Sequence, residues 1–243
     1  MRYAILADIH GNLTAFQAVL DDATKQGGFD EIWCLGDIVG YGPEPHQCIE
    51  LLRSFKHLCV AGNHDWAAIG NMDTSDFNPA AAQACQWTAK QLTGDDIAYL
   101  TALPLTIVQD DFTLAHGSPR EPIWEYLLSV ELAIENLDYF TTTYCLIGHS
   151  HVPLVFEQIE HGMAYRVLAH GMRIELGKNR LILNPGGVGQ PRDGDPRAAY
   201  AIYDSEEQVV SHYRVEYDIS ATQRKMAEHG LPLSLILRLS HGW

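Results

Sequence analysis

Five short motifs place side chains capable of binding metal at the ends of hydrophobic runs. They are Asp8-Ile9-His10, Gly36-Asp37, Gly62-Asn63-His64-Asp65, His116-Gly117 and Gly148-His149-Ser150-His151. Carboxylate oxygens, imidazole nitrogens and an amide oxygen make a borderline ligand set, suited to Mn, Fe, Zn, Co or Ni. Two such ions close together can clamp the attacking and leaving oxygens of a phosphoryl displacement, so the chemistry indicated is two-metal cleavage of a phosphoester.

Each motif alone has a plainer reading. Asp8 and His10, two apart on a turn, can converge on one ion, yet the D-x-H pattern is common. Asp37 follows a glycine that lets the chain turn tightly. It could bridge two cations ~3.5–4 Å apart and offset their repulsion, or simply cap a turn. Asn63 and His64 are adjacent, so on a strand-end turn their side chains diverge: one suits a metal, the other a substrate. His64 titrates near neutrality and is a candidate general acid; the alternative is a turn residue beside a solvated histidine. His149 and His151 alternate, so at an extended strand end they can point the same way. A lone histidine after a strand is usually structural, but three of them downstream of two aspartates and an asparagine form a pattern.

The elements needed to position these residues are legible. Arg2–Ala7 is an apolar run that stops at Asp8, as a buried strand does. Asn12 to about Lys25 shows helical periodicity through Leu13, Phe16, Val19 and Leu20, ending at Gly27-Gly28. Strands over Glu31–Leu35 and His57–Ala61 flank a helix over Gln47–Phe55. This β-α-β-α-β opening predicts a parallel sheet with ligands at the carboxyl ends of its strands. Further on, a helix is expected over Pro79–Leu100, a strand over Phe112–Ala115, a helix over Val130–Phe140 and a strand over Tyr144–Ile147. Beyond Val152 short alternating segments look antiparallel: Leu154–Ile159, Met163–Leu168, Leu181–Leu183, Ala198–Tyr203 and Gln208–Arg214. Two sheets packed together with helices outside are expected, in a single domain over residues 1–243.

Composition narrows the partners. The chain has 31 acidic against 16 basic residues, a net charge of −15, which repels polyanions and argues against extended nucleic acid or an anionic membrane. A small phosphorylated substrate can still be drawn in by metals. The five cysteines form no close pair, and the opening MRYAILADIH has no apolar signal-peptide core. A reducing cytoplasm is the expected compartment; oligomeric state is not legible.

Taken together and in order, the motifs resemble those of the calcineurin-like metallophosphoesterases: D-x-H, GD, GNH[D/E], H and GH-x-H. The resemblance implies an α/β fold, a four-layer α/β/β/α sandwich with two mixed β-sheets. It implies one metal on Asp8, His10, Asp37 and His151, and a second on Asp37, Asn63, His116 and His149, with Asp37 shared. Two divalent ions are implied, manganese first, with Fe, Zn, Ni or Co compatible. The segment Asn184-Pro185-Gly186-Gly187-Val188-Gly189 is similar to the NPGS-type loop of the small bacterial and archaeal phosphodiesterase branch.

One departure matters. The serine/threonine phosphatase branch carries GDxxDRG, whereas this chain reads Gly36-Asp37-Ile38-Val39-Gly40-Tyr41-Gly42. The aspartate that supports the acid histidine is Gly40 here, and the phosphate-gripping arginine is Tyr41. The diadenosine tetraphosphatases similar to that branch share the missing features, so both readings lose weight. Arg192 and Arg197 are candidates to grip phosphate in its place, since guanidinium matches phosphate bidentately; the alternative is loop salt bridges to neighbouring aspartates. Asn12 is a further phosphate-contact candidate or a helix cap. Trp124 and Tyr126, after His116-Gly117, could stack on a base or pack on the core.

The expected activity is that of a phosphodiesterase acting on a small diester, with nucleotide diesters among the candidates: a hydroxide bridging both ions attacks phosphorus while His64 protonates the leaving oxygen. Asp37 and His64 are the residues expected to carry it. Alternatives are a phosphomonoesterase or dinucleoside polyphosphate hydrolase, and, from another class, a non-catalytic scaffold such as the retromer trafficking subunit, which has lost key site residues that this chain retains.

Overall fold

The computed structural model describes residues 1–243. Its strands are β1 (Arg2–Leu6), β2 (Glu31–Cys34), β3 (His57–Cys59), β4 (Thr106–Gln109), β5 (Phe112–Ala115), β6 (Tyr144–Leu146), β7 (Leu154–Ile159), β8 (Gly162–Val167), β9 (Arg173–Glu175), β10 (Leu181–Asn184), β11 (Ala198–Asp204) and β12 (Val209–Val215). Its helices are α1 (Leu13–Lys25), α2 (Pro45–Arg53), α3 (Asn63–Ala68), α4 (Pro79–Ala89), α5 (Gly94–Ala102), α6 (Val130–Asn136), α7 (Ile219–Glu228) and α8 (Leu233–Arg238).

Two mixed six-stranded sheets result, in the orders β3-β2-β1-β11-β12-β9 and β4-β5-β6-β10-β7-β8. Strands β1, β2 and β3 run parallel, as do β5, β6 and β10. The period-2 alternation of the strands decides the layers. In β1, Ala4 and Leu6 face Phe16, Val19 and Ile49 of α1 and α2, while Tyr3 and Ile5 face the second sheet. Trp33 joins them there against Phe112, 5.2 Å between ring centroids. On the far side, Cys145 and Ile182 meet Ala133 of α6. Three apolar clusters therefore fill three interlayer spaces, giving the α/β/β/α order expected. No helix is long and apolar enough to cross a membrane, and all five cysteines are free and buried.

Several boundaries differ from the sequence reading. The helix expected over Pro79–Leu100 is two helices, because Thr93 caps a new one through a reciprocal pair with Asp96. The helix expected to reach Phe140 ends at Asn136 and tightens into a 3-10 turn over Leu137–Tyr139. Strand β10 is not purely antiparallel: it pairs parallel with β6. Strands β4 and β9 and helices α3, α7 and α8 were not legible, being short or lacking a clean apolar period.

Candidate metal centre

The parallel arrangement puts the carboxyl ends of β1, β2, β3, β5 and β6 on one edge, and each motif leaves such an end. Asp8 follows β1, Asp37 follows β2, Asn63 follows β3, His116 follows β5 and His149 follows β6. All seven candidate ligands are buried, none more than 4% exposed. Five of them hold a left-handed backbone: Asp8 (φ 57°), His10 (50°), Asp37 (54°), His149 (64°) and His151 (57°). Such positions cost roughly 1–3 kcal/mol each for a residue with a side chain and concentrate at functional sites. Asn63 differs from expectation: it is not on an extended turn but is the first residue of α3, with His64 second.

Two groups form around Asp37. In one, the Nε2 atoms of His10 and His151 lie 3.1 Å apart, with Asp8 Oδ1 3.5 Å from His151 Nε2. In the other, His116 Nε2 lies 3.1 Å from Asn63 Oδ1 and 3.2 Å from His149 Nδ1. Asp37 Oδ2 is 3.5 Å from His10 Nε2 and 3.4 Å from His116 Nε2, one histidine of each group. Its Oδ1 accepts from the His64 backbone N–H at 2.8 Å, so a single oxygen faces both groups.

The donor chemistry fits divalent cations. Each of the four imidazoles has its remote nitrogen on a backbone carbonyl: His10 on Val39 (3.1 Å), His116 on Leu35 (2.7 Å), His151 on Gln190 (2.5 Å) and His149, through Nε2, on Trp124 (3.2 Å). A carbonyl only accepts, so each remote nitrogen carries a proton, and in the neutral ring each inward nitrogen presents a lone pair. Once His116 gives up the proton that Asp37 favours on it, four lone pairs converge beside a buried Asp8 Oδ2 that has no hydrogen-bond partner, leaving polar atoms unsatisfied. A cation satisfies them.

Supporting residues were only partly visible in the sequence. Asp65 accepts from the backbone N–H groups of Asp37 (2.9 Å), Gly62 (3.0 Å) and Val39 (3.1 Å), clamping the Asp37 turn to α3. Gly62 is needed because a Cβ there would lie 2.1 Å from Asp37 Oδ1. Asn184 donates to the Gly148 carbonyl and to Ser150 Oγ, tying its loop to the His149–His151 turn. Asp65→Asn puts an amide where a carboxylate accepts on both oxygens, so at least one buried N–H loses its acceptor. The expected cost is about 2 kcal/mol of stability and a lowered metal content, read by thermal melting and metal analysis of the same protein.

Burial raises the Asp8 carboxyl to about 7, with only part of that offset by His116. For Asp37 burial acts the same way, but His116, His64 and His10 outweigh it and hold the carboxyl well below its usual range. Burial would lower His116, yet Asp37 raises it to about 9. Metal binding must therefore displace a proton from His116 below pH 9 and a second from Asp8 below pH 7. Affinity should fall by about tenfold per pH unit from 9 to 7 and more steeply below. Calorimetric Mn²⁺ titrations at pH 6, 7.5 and 9 check this; a flat profile contradicts it.

His64 packs beside this centre, its ring 4.9 Å from that of His10. Its Nδ1 lies 3.2 Å from Cys85 Sγ, and Tyr41 tilts against it at 4.3 Å. Gly40 explains the missing phosphatase aspartate: with φ +91°, a Cβ there would lie 2.5 Å from His64 Nδ1. The group at this nitrogen is instead the buried Cys85 thiol, its pKa raised by burial.

The other candidates separate. Arg192 Nη2 donates to Tyr41 Oη (3.2 Å) and Gln190 Oε1 (3.1 Å). Its backbone N–H donates to the His151 carbonyl at 3.4 Å and its guanidinium lies 5.7 Å over the Tyr41 ring, which places it beside the centre; after burial, its charge helps to push His151 below its usual range. Arg197 instead pairs with Asp195 through Nε and Nη2, the salt-bridge alternative. Asn12 caps α1: its Oδ1 accepts from Ala15 N–H and Thr222 Oγ1, and its Nδ2 donates to Gly189 O. Its hydrogen-bonding groups are thus committed within the fold. Tyr126 stacks on His149 at 3.9 Å, and Trp124 on Phe77 at 5.3 Å. Phe77 was missed, since nothing in its sequence neighbourhood signals a site.

A family model for the calcineurin-like phosphoesterase superfamily domain matches residues 1–208. The crystal structure of a metallophosphoesterase from Sphaerobacter thermophilus superposes with a TM-score of 0.92, is 47% identical, and the match covers 100% of this chain and 99% of that one. The uncharacterized protein MJ0912 of Methanocaldococcus jannaschii is 39% identical over 98% of this chain and 97% of its own. The symmetrical bis(5'-nucleosyl)-tetraphosphatase of Pseudomonas putida is 31% identical over a shorter match, 37% of this chain and 35% of its own.

Proposed function

The chain belongs to the calcineurin-like phosphoesterase superfamily and is a phosphoester hydrolase; from that premise we propose that it is a two-metal phosphodiesterase acting on a small diester, nucleotide diesters being one candidate class. The observation that carries the reading is the set of four inward imidazole lone pairs meeting around Asp37 Oδ2. Asp8, His10, Asp37 and His151 would hold one ion; Asp37, Asn63, His116 and His149 would hold the other. Manganese is the first candidate and Fe, Zn, Ni or Co are compatible, since borderline ligands do not select one metal. Bound there, divalent ions acidify water and neutralise charge on the phosphoryl oxygens.

The chain's own residues do the rest. Asp37 balances the cation charge with one oxygen while its other is fixed by the His64 N–H. His64 gives a proton to the departing oxygen. Burial presses its imidazole down to about 4, and an anionic phosphodiester beside it would raise its affinity for the proton. Arg192, held by Tyr41 and Gln190 and with its Nε unpartnered, grips a non-bridging oxygen, supplying from another loop the guanidinium missing at position 41. Arg192→Ala should raise KM for a diester by about 10- to 100-fold, the scale of a charged hydrogen bond, with metal content unchanged. Arg192→Lys should recover only part of the loss. Steady-state kinetics with metal analysis checks both.

Dinucleoside polyphosphate hydrolysis is the second reading, favoured by the short match to the tetraphosphatase and weakened by Gly40 and Tyr41. Hydrolysis of bis-p-nitrophenyl phosphate against p-nitrophenyl phosphate by Mn²⁺-loaded protein tests the proposal. Preference for the diester supports it; preference for the monoester moves the assignment to a small-molecule phosphatase.

A further inference from the structure

A cavity of about 190 Å³ opens onto the centre, with Asn63 and His64 among its lining residues, aromatic walls of Phe77, Trp124 and Tyr126, and Asp76 at its side. The walls form a connected series: His64 lies 4.9 Å from Phe77, and Phe77 stacks on Trp124 with 25° between planes. Trp124 and Tyr126 remain 38% and 44% exposed, so two aromatic surfaces beside a buried polar centre stay uncovered. Beyond them a second hollow of about 120 Å³ is lined by Met72, Asp73, Asp76 and Trp124.

The geometry points to this cavity as the subsite of the departing group, shaped for an uncharged nucleoside and closed to one that carries further phosphates. The inference rests on the phosphodiesterase reading and narrows its substrate. Because His64 both lines the cavity and is the proposed proton donor, the group whose oxygen it protonates lies on this side. Aromatic walls accept any base by stacking. The volume is below the ~300 Å³ at which pockets begin to hold drug-sized ligands, which suits one ring system rather than a dinucleotide. No lysine or arginine lines either hollow; the acidic groups there are Asp76 and Asp73. A phosphate chain extending this way would meet Asp76 and Asp73, both solvent-exposed carboxylates, whose repulsion is reduced by salt but not abolished.

The test uses Mn²⁺-loaded protein and two substrates, adenylyl-(3'→5')-adenosine and diadenosine tetraphosphate, with calorimetric titration of adenosine alone. The dinucleoside monophosphate should show the higher kcat/KM, and Asp76→Asn should narrow the difference by raising turnover of the tetraphosphate several-fold. Phe77→Ala and Trp124→Ala should each weaken adenosine binding by at least about fivefold, the lower end of base–aromatic stacking. Preference for the tetraphosphate with no response to Asp76→Asn overturns the inference. If neither compound nor bis-p-nitrophenyl phosphate turns over, the phosphodiesterase reading fails, and calorimetry still decides the subsite. Adenosine binding weakened by Phe77→Ala upholds it, and no binding to the wild type at millimolar concentration overturns it.

Discussion

Asp37→Ala should remove bound metal and turnover together. One oxygen of this carboxylate lies within 3.5 Å of a histidine nitrogen from each ligand group, and the other anchors the first turn of α3 through the His64 N–H. Alanine therefore removes the shared ligand and the charge that offsets two cations. A water filling the space could not replace the lost charge, as Asp37 is buried, 1% exposed. The expected fall in kcat is at least about 10²–10³-fold, the scale for losing one preorganised charge-stabilising group. Metal analysis after gel filtration should show fewer than one ion per chain. Turnover within tenfold of wild type, or full metal content, would contradict the assignment of Asp37 as the shared ligand.

His64→Ala should behave in the opposite way towards metal. The side chain packs on His10 at 4.9 Å between rings and otherwise contacts Cys85, Tyr41 and Phe77; its removal leaves all seven candidate ligands in place, so metal content should persist. Loss of a general acid costs about 10²–10⁴-fold, but only where the departing oxygen needs a proton. A diester with an alkyl or nucleoside leaving group should lose that full factor. One with p-nitrophenolate, a stable anion as it departs, should lose much less. Equal losses on both would mean that His64 positions the centre rather than protonating the leaving group.

The candidate metal ligands were readable in the sequence because each motif follows a short apolar run that ends in a chemically committed residue. Parallel strands then bring those ends to one edge whatever the lengths of the connections. Layering was readable for the same reason: Tyr3 and Ile5 alternate with Ala4 and Leu6, so one strand serves two cores. What stayed hidden depends on distant chain segments meeting. Asp65 looked like a variant motif letter, and only the fold shows its carboxylate holding three N–H groups. Arg192 and Arg197 look alike in their loop, and packing alone distinguishes the arginine against Tyr41 from the one paired with Asp195. Asn12 could have met substrate or capped a helix; its cap contacts come partly from Gly189 and Thr222, far along the chain. Thr93-Gly94 breaks a helix that apolar spacing alone would carry through.

The most direct measurement is a Mn²⁺ titration of chelator-stripped protein, following bound metal and bis-p-nitrophenyl phosphate hydrolysis at each step. The account predicts two equivalents bound, with turnover rising mainly as the second site fills. Hydrolysis that persists without metal, or that reaches its maximum at one equivalent, would contradict a centre built from two groups sharing Asp37.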